Sequence, residues 1–199
     1  MNSTTKTQPT PAMAPRALRA DAARNRESII EAARERFAEQ GTAAQMEDIA
    51  RDAGVGVGTV YRHFPTKEAL MGELIREQFL AFVANAHAAL DGDDEPFERF
   101  ARLLRRNAEL MSADTAVQHA MMSMGVEIWE RAEPVRTELL ALTAELIARA
   151  QAAGQLRADF SAGDVPMLMC GLGASMGMSG PGFDWRRHLE LLIDATRAR

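Results

Sequence analysis

Apolar residues along this chain recur mostly at spacings of three and four. Ile29, Ile30, Ala33 and Phe37 mark one helical face, Arg24, Glu27, Glu31, Arg34, Glu35 and Glu39 lie mostly on the other, and Gly41 ends the run. The spacing predicts an amphipathic helix from Asn25 of about 16 residues. Two short segments follow, 46–53 and 57–63, divided by Gly54 and Val55. Pro65 and Thr66 then open a helix from Lys67 to Leu90, apolar at Leu70, Leu74, Phe79, Phe82 and Val83 and closed by the acidic turn 91–94. Pro96 starts the next helix, which runs to about Ala113 on Phe97, Phe100, Leu103, Leu104 and Leu110. A short helix is expected over 115–124. A long one is expected over 127–153, with Pro134 either starting or bending it and Gly154 ending it. Two more cover 162–176 and 184–198. No stretch alternates with period two long enough to make a sheet, so the expected class is all-α with about nine helices.

Residues 1–20 hold Pro9, Pro11 and Pro15 among small and polar residues, too little apolar surface to offset the entropy of ordering them, and read as a disordered tail. Charge divides the chain. Residues 1–72 carry 10 Lys and Arg against 9 Asp and Glu, whereas 73–199 carry 13 against 19, for an overall charge of −5. The first 26 residues alone have five basic side chains against Asp21. That asymmetry argues against a general polyanion coat and allows an anion, nucleic acid included, at the front end. The single cysteine, Cys170, excludes an intramolecular disulfide framework. With no secretory apolar run near the start and no membrane-length stretch, the expected location is the cytoplasm.

Segment 46–64 has the features of a helix-turn-helix. Ile49 and Ala50 face inward, where a small residue lets the second helix cross closely, and Gly54 supplies the left-handed backbone of a tight turn. Val60 and Phe64, four apart, bury one side of the second helix. Its outer and N-terminal surfaces then carry Gly58, Thr59, Tyr61, Arg62 and His63: small, hydroxylic, aromatic and basic groups suited to phosphates and base edges in a major groove.

At these residues the sequence resembles the tetracycline-repressor (TetR) family of one-component bacterial transcription regulators. The likeness begins at 29–41, continues through 46–50, and runs through 54–70, Gly-Val-Gly-Val-Gly-Thr-Val-Tyr-Arg-His-Phe-Pro-Thr-Lys-Glu-Ala-Leu; it covers about a quarter of the chain, within residues 25–72. The resemblance implies a three-helix DNA-binding domain over 21–72 and a helical effector-binding and dimerisation domain over 73–199. It implies that Gly58, Thr59, Tyr61 and His63 face DNA and that Lys67, in the first turn of the next helix, holds a phosphate; Arg62 is an added candidate. Gln45 and Gly56 stand where the family commonly has hydroxyl residues, which weakens helix capping and removes a phosphate contact.

The implied partners are a double-stranded operator, a second copy of the chain and an unidentified small molecule. The apolar stripe of the last helix could close the domain internally or meet a second copy; the resemblance implies that the last two helices form a four-helix dimer interface, with Trp185, Leu189, Leu192 and Ile193 on it. Methionines are dense at 111, 121, 122, 124, 167, 169, 176 and 178, and flexible thioethers suit either core filling or a pocket for varied apolar shapes. As a pocket wall, Met111, Met121, Met122 and Trp129 are the candidates.

The glycine-rich run 170–182 lacks the preceding strand and the Lys-Ser/Thr pair of a phosphate loop, and reads as a close helix crossing. His63, His87, His119 and His188 are dispersed, so no metal site, cofactor or catalytic constellation is expected, and Cys170 reads as a small buried hydrophobe. The rival reading is a small-molecule-binding or catalytic helical protein whose helix-turn-helix is only scaffold.

Overall fold

The computed structural model describes residues 15–114, 116–118, 126–178 and 182–199. Helix α1 spans Pro15–Gln40 and so begins ten residues ahead of the Asn25 start that the apolar periodicity predicts. The expected tail is corrected at 15–20: Arg, Ala and Leu dominate there, and strong helix formers extend a helix past its buried face. A 3₁₀ turn, Gly41–Ala43, leads to α2 (Met46–Asp52) and α3 (Val57–His63). Then come α4 (Lys67–Leu90), α5 (Pro96–Ala113), α6 (Val126–Ala152), α7 (Asp164–Met176) and α8 (Trp185–Ala195). Residues 116–118 of the expected 115–124 helix are helical, and 119–125 lie outside the described residues. Pro134 sits inside α6 rather than at its start. Among the described residues there is no strand, only one bridge, Leu156 to Arg197, which holds the C-terminus against the end of α6.

The core has two parts, and α4 runs through both. Ile29, Ala33 and Phe37 of α1 meet Ile49 of α2, Val60 of α3 and Leu70, Leu74 and Ile75 of α4. Farther along, Ala86 and Ala89 of α4 join Phe97, Phe100 and Leu104 of α5, Leu146 and Ile147 of α6, Leu172 of α7, and Leu189 and Ile193 of α8. One helix therefore shares its burial between the N-terminal head and the C-terminal body, and neither part can shift without moving it.

Three arginine–glutamate links bind α5 to the C-terminal segment: Arg105 forks onto Glu190 at 2.7 and 2.8 Å, Arg186 onto Glu109 at 2.9 and 2.8 Å, and Arg197 reaches Glu98 at 3.0 Å. Paired guanidinium–carboxylate bonds fix orientation more than they add stability at such half-exposed positions. Asp184 caps α8 by accepting from the Arg186 and Arg187 backbone N–H groups.

Candidate nucleic-acid interface

Helices α2 and α3 are seven residues each, too short to persist alone, so packing and the turn between them must hold them. Neither has a side-chain cap at its start. Gln45 sends its amide to the Ala43 carbonyl instead, at 2.7 Å, and Gly56 has nothing to offer. The turn compensates. Gly54, at φ 67°, lets the Val55 N–H reach the Ala50 carbonyl at 3.0 Å while its own N–H reaches that of Arg51 at 3.1 Å. Two carbonyls at the end of α2 are thus satisfied, and the chain reverses into α3. A side chain at Gly54 would strain this backbone even though the space around it is open.

On α3 the inward residue is Val60, fully buried, and the helix ends on Phe64, 1% exposed. The other positions face out: Gly58 and Arg62 are exposed, Thr59 is half-buried, and the Tyr61 ring is 44% exposed. Arg62 has no ion-pair partner among the described residues, whereas Arg51 pairs with Asp48 and Arg36 with Asp52. At Gly58 an added Cβ would meet no atom of the protein within 4 Å. Glycine in a helix costs about 0.5–1 kcal/mol relative to alanine, and nothing inside the molecule requires it at this position.

Two of the predicted contacts are more deeply engaged than the sequence suggests. Lys67 Nζ donates to the carbonyls of Thr42 at 2.7 Å and Ala44 at 2.9 Å, tying the 3₁₀ turn to the first turn of α4. An ammonium has three protons, so one remains for an external acceptor. His63 is half-buried, and its Nε2 is buried with no hydrogen-bond partner, which leaves that nitrogen turned away from the outer surface.

Beneath α3 lies a charged group that sequence reasoning missed. Glu73 of α4 is 2% exposed, accepts from Arg26 of α1 at 2.7 Å and from Arg76 at 2.9–3.0 Å, and the Arg26 guanidinium sits over the Phe64 ring, 5.5 Å from its centre. Burial pushes the Glu73 carboxyl upward, but the hydrogen bonds from Arg76 and Arg26 together outweigh it and hold the group below its ordinary value. The recognition helix therefore rests on an α1–α4 ion cluster. Arg26 and Glu73 are 47 positions apart, and only the fold brings them together.

The model for bacterial regulatory proteins of the tetR family matches residues 29–74, and one for an SbtR-like transcriptional regulator C-terminal domain matches 95–195. A TetR transcription regulatory protein from Mycobacterium vanbaalenii is 34% identical, with 91% of this chain and 99% of that one covered at a TM-score of 0.62. The chain belongs to the TetR family of bacterial transcriptional regulators. The TetR regulator SCO0520 of Streptomyces coelicolor is also similar, at 29% identity and TM-score 0.60 over 87% of this chain and 98% of that one. The HTH-type transcriptional regulator SAB2452 of Staphylococcus aureus is 34% identical over 82 residues, 41% of this chain. The chain spans under half the length, 44%, of that curated relative.

As in the TetR family generally, the helix-turn-helix is a DNA-binding module and the relatives are transcriptional regulators rather than enzymes. Among the described residues no group of three His, Cys, Asp or Glu could hold a metal, and no helix is long and apolar enough to cross a membrane.

The structure corrects several C-terminal expectations. Leu189 and Ile193, expected at a subunit interface, are 3% and 0% exposed and belong to the chain's own core; Trp185 and Leu192 are half-buried against it. The apolar periodicity of α8 is real, but the inner face of the helix uses most of it. Outward-facing apolar groups lie mostly on α7 and its flanks, where Met167 is 78% exposed, Met178 and Phe183 about half, and Cys170 exposed rather than buried, while Leu191 is about half exposed on the outer side of α8. Composition marks α7 as apolar without saying which face one chain can cover. Met111 is buried, its methyl carbon 3.2 Å from where a Cβ on Gly173 would sit, so Gly173 permits the close α5–α7 crossing. Met121 and Met122 lie outside the described residues, as does the side chain of Trp129.

Proposed function

We propose that this TetR-family chain is a homodimeric cytoplasmic repressor. Its two α3 helices read a pseudo-palindromic operator, and a small molecule held by the C-terminal domain releases it. The observation that carries the reading is the outward surface of α3: Arg62 with no ion-pair partner among the described residues, an exposed Tyr61 ring, and Gly58 with open space above it, all opposite the buried Val60. Such a surface fits a major groove, with Lys67's remaining proton and the free backbone N–H groups at the start of α4 directed to phosphate. Thr59 and Arg62 are the candidates for base edges; Tyr61, His63 and Lys67 are the candidates for the sugar–phosphate backbone.

The dimer reading is supported by the exposed stripe Met167, Cys170, Gly171 and Ala174, whose three- and four-residue steps place it on one side of α7, with the exposed Met178 just past the helix end. Reading successive major grooves requires two recognition helices about 34–36 Å apart, one turn of B-DNA, the arrangement a two-fold dimer serves. A ligand that favours a different head spacing would weaken binding tenfold for each 1.4 kcal/mol of preference for the released state.

The test is selection of bound fragments from genomic DNA, then fluorescence anisotropy of the winner at two salt concentrations. An enriched pseudo-palindrome bound by a dimer supports the reading. Weak, sequence-indifferent binding that salt abolishes refutes it.

A further inference from the structure

A groove of about 440 Å³ opens where the head meets the body, between α1, α4 and α5. Its floor is apolar, from Ala38 of α1, Ala81 of α4 and Leu110 of α5, the last 37% exposed. Its polar lining is three carboxylates, Glu35, Glu77 and Asp114, against a single guanidinium, Arg34. Arg34 bridges two of them, Asp114 and, at 3.2 Å, Glu77, so the lining retains an excess of two negative charges. Gln78, also in the lining, is 8% exposed, and its amide makes no hydrogen bond among the described residues. The amide atoms themselves are open to the groove, so its oxygen is available to accept from a donor bound there.

We propose that this groove is a binding site for an organic cation with an apolar body. An ammonium on such a molecule would donate to the Gln78 amide oxygen and lie among Glu35, Glu77 and Asp114, while its hydrocarbon covers Ala38, Ala81 and Leu110. An anion of the same shape meets net repulsion and offers no N–H to the amide oxygen. The groove has walls on both head and body, so its occupant and the operator influence each other's affinity by one common factor. That coupling rests on the DNA-binding reading; the site itself does not.

The test is calorimetric titration of the full-length protein, without DNA, with octylammonium and, separately, octanoate. Saturable binding of one octylammonium per chain is expected, with octanoate at least tenfold weaker. Gln78→Leu, checked for its fold by circular dichroism, and Glu35→Gln, on an exposed side chain, should each weaken octylammonium at least fivefold. Equal binding of the two probes, no octylammonium binding, or full affinity in both folded variants would overturn the proposal. DNA is absent, so a negative result counts against this site alone and leaves the operator reading intact.

Discussion

Gly58→Ala should stabilise the free protein and weaken its hold on DNA. Gly58 is the second residue of α3, its φ is not positive, and a Cβ there would meet nothing in the protein within 4 Å. At a compatible position Gly→Ala stabilises by about 0.4–1 kcal/mol, chiefly by narrowing the unfolded ensemble. For a chain of this size that corresponds to a melting temperature higher by about 1–4 °C. With α3 docked in a major groove as proposed, the same methyl group would take up space that DNA would use. Overpacking of that kind costs about 1–3 kcal/mol, or roughly five- to 150-fold in affinity. Thermal melting of the free protein and anisotropy titration with the selected operator measure the two effects separately. Unchanged operator affinity in a variant that melts higher would remove Gly58 from the interface. A lower melting temperature would show the open-space argument to be wrong.

Arg62→Ala should cost about 1–3 kcal/mol of operator affinity and relax the preference at one base position while leaving the melt unchanged, whereas Lys67→Ala should reduce the slope of log affinity against log salt by about one and lower the melt, because Lys67 also holds the Thr42 and Ala44 carbonyls; an unaltered melt in the Lys67 variant would contradict its structural role. Glu73→Gln should destabilise the protein by about 1–3 kcal/mol at pH 7, measured by urea unfolding. The carboxyl is held below its ordinary value of 4.5 in the folded state, so its contribution is present above that pH and is lost as pH falls through the lowered value; a gap between wild type and variant that persists on acidification would refute the assignment. Met167→Asp, at a position 78% exposed in the single chain, should leave the fold intact and dissociate the dimer in sedimentation, and a bismaleimide should link Cys170 to its copy in wild type; an unchanged oligomer would exclude the α7 face.

Much of the head was legible because its signals are local. The inward Ile49, Val60 and Phe64, the turn at Gly54 and the proline before α4 all act within a few residues of one another. Features that depend on long-range contacts were not: the Arg26–Glu73 pair and the Arg34–Asp114 bridge join residues 47 and 80 positions apart, and no spacing rule connects them. On α8 the apolar stripe is legible from its period but its use is not, because Leu189 and Ile193 look the same in sequence whether a core or a second subunit covers them. The early start of α1 was missed for a different reason. Its first turns follow from propensity rather than from an amphipathic face, and the proline-rich segment ahead of them draws the reading toward disorder.

The recognition helix is held from one side only. Val60, Phe64 and the turn at Gly54 fix it, while the exposed side chains at Tyr61 and Arg62 have no hydrogen-bond or ion-pair partner among the described residues. Mutations there carry little folding penalty, so selection on a new operator meets little resistance from selection on the scaffold. Over generations the outer face of α3 is free to drift toward new target sequences while its inner face stays constant, and one architecture can serve many promoters.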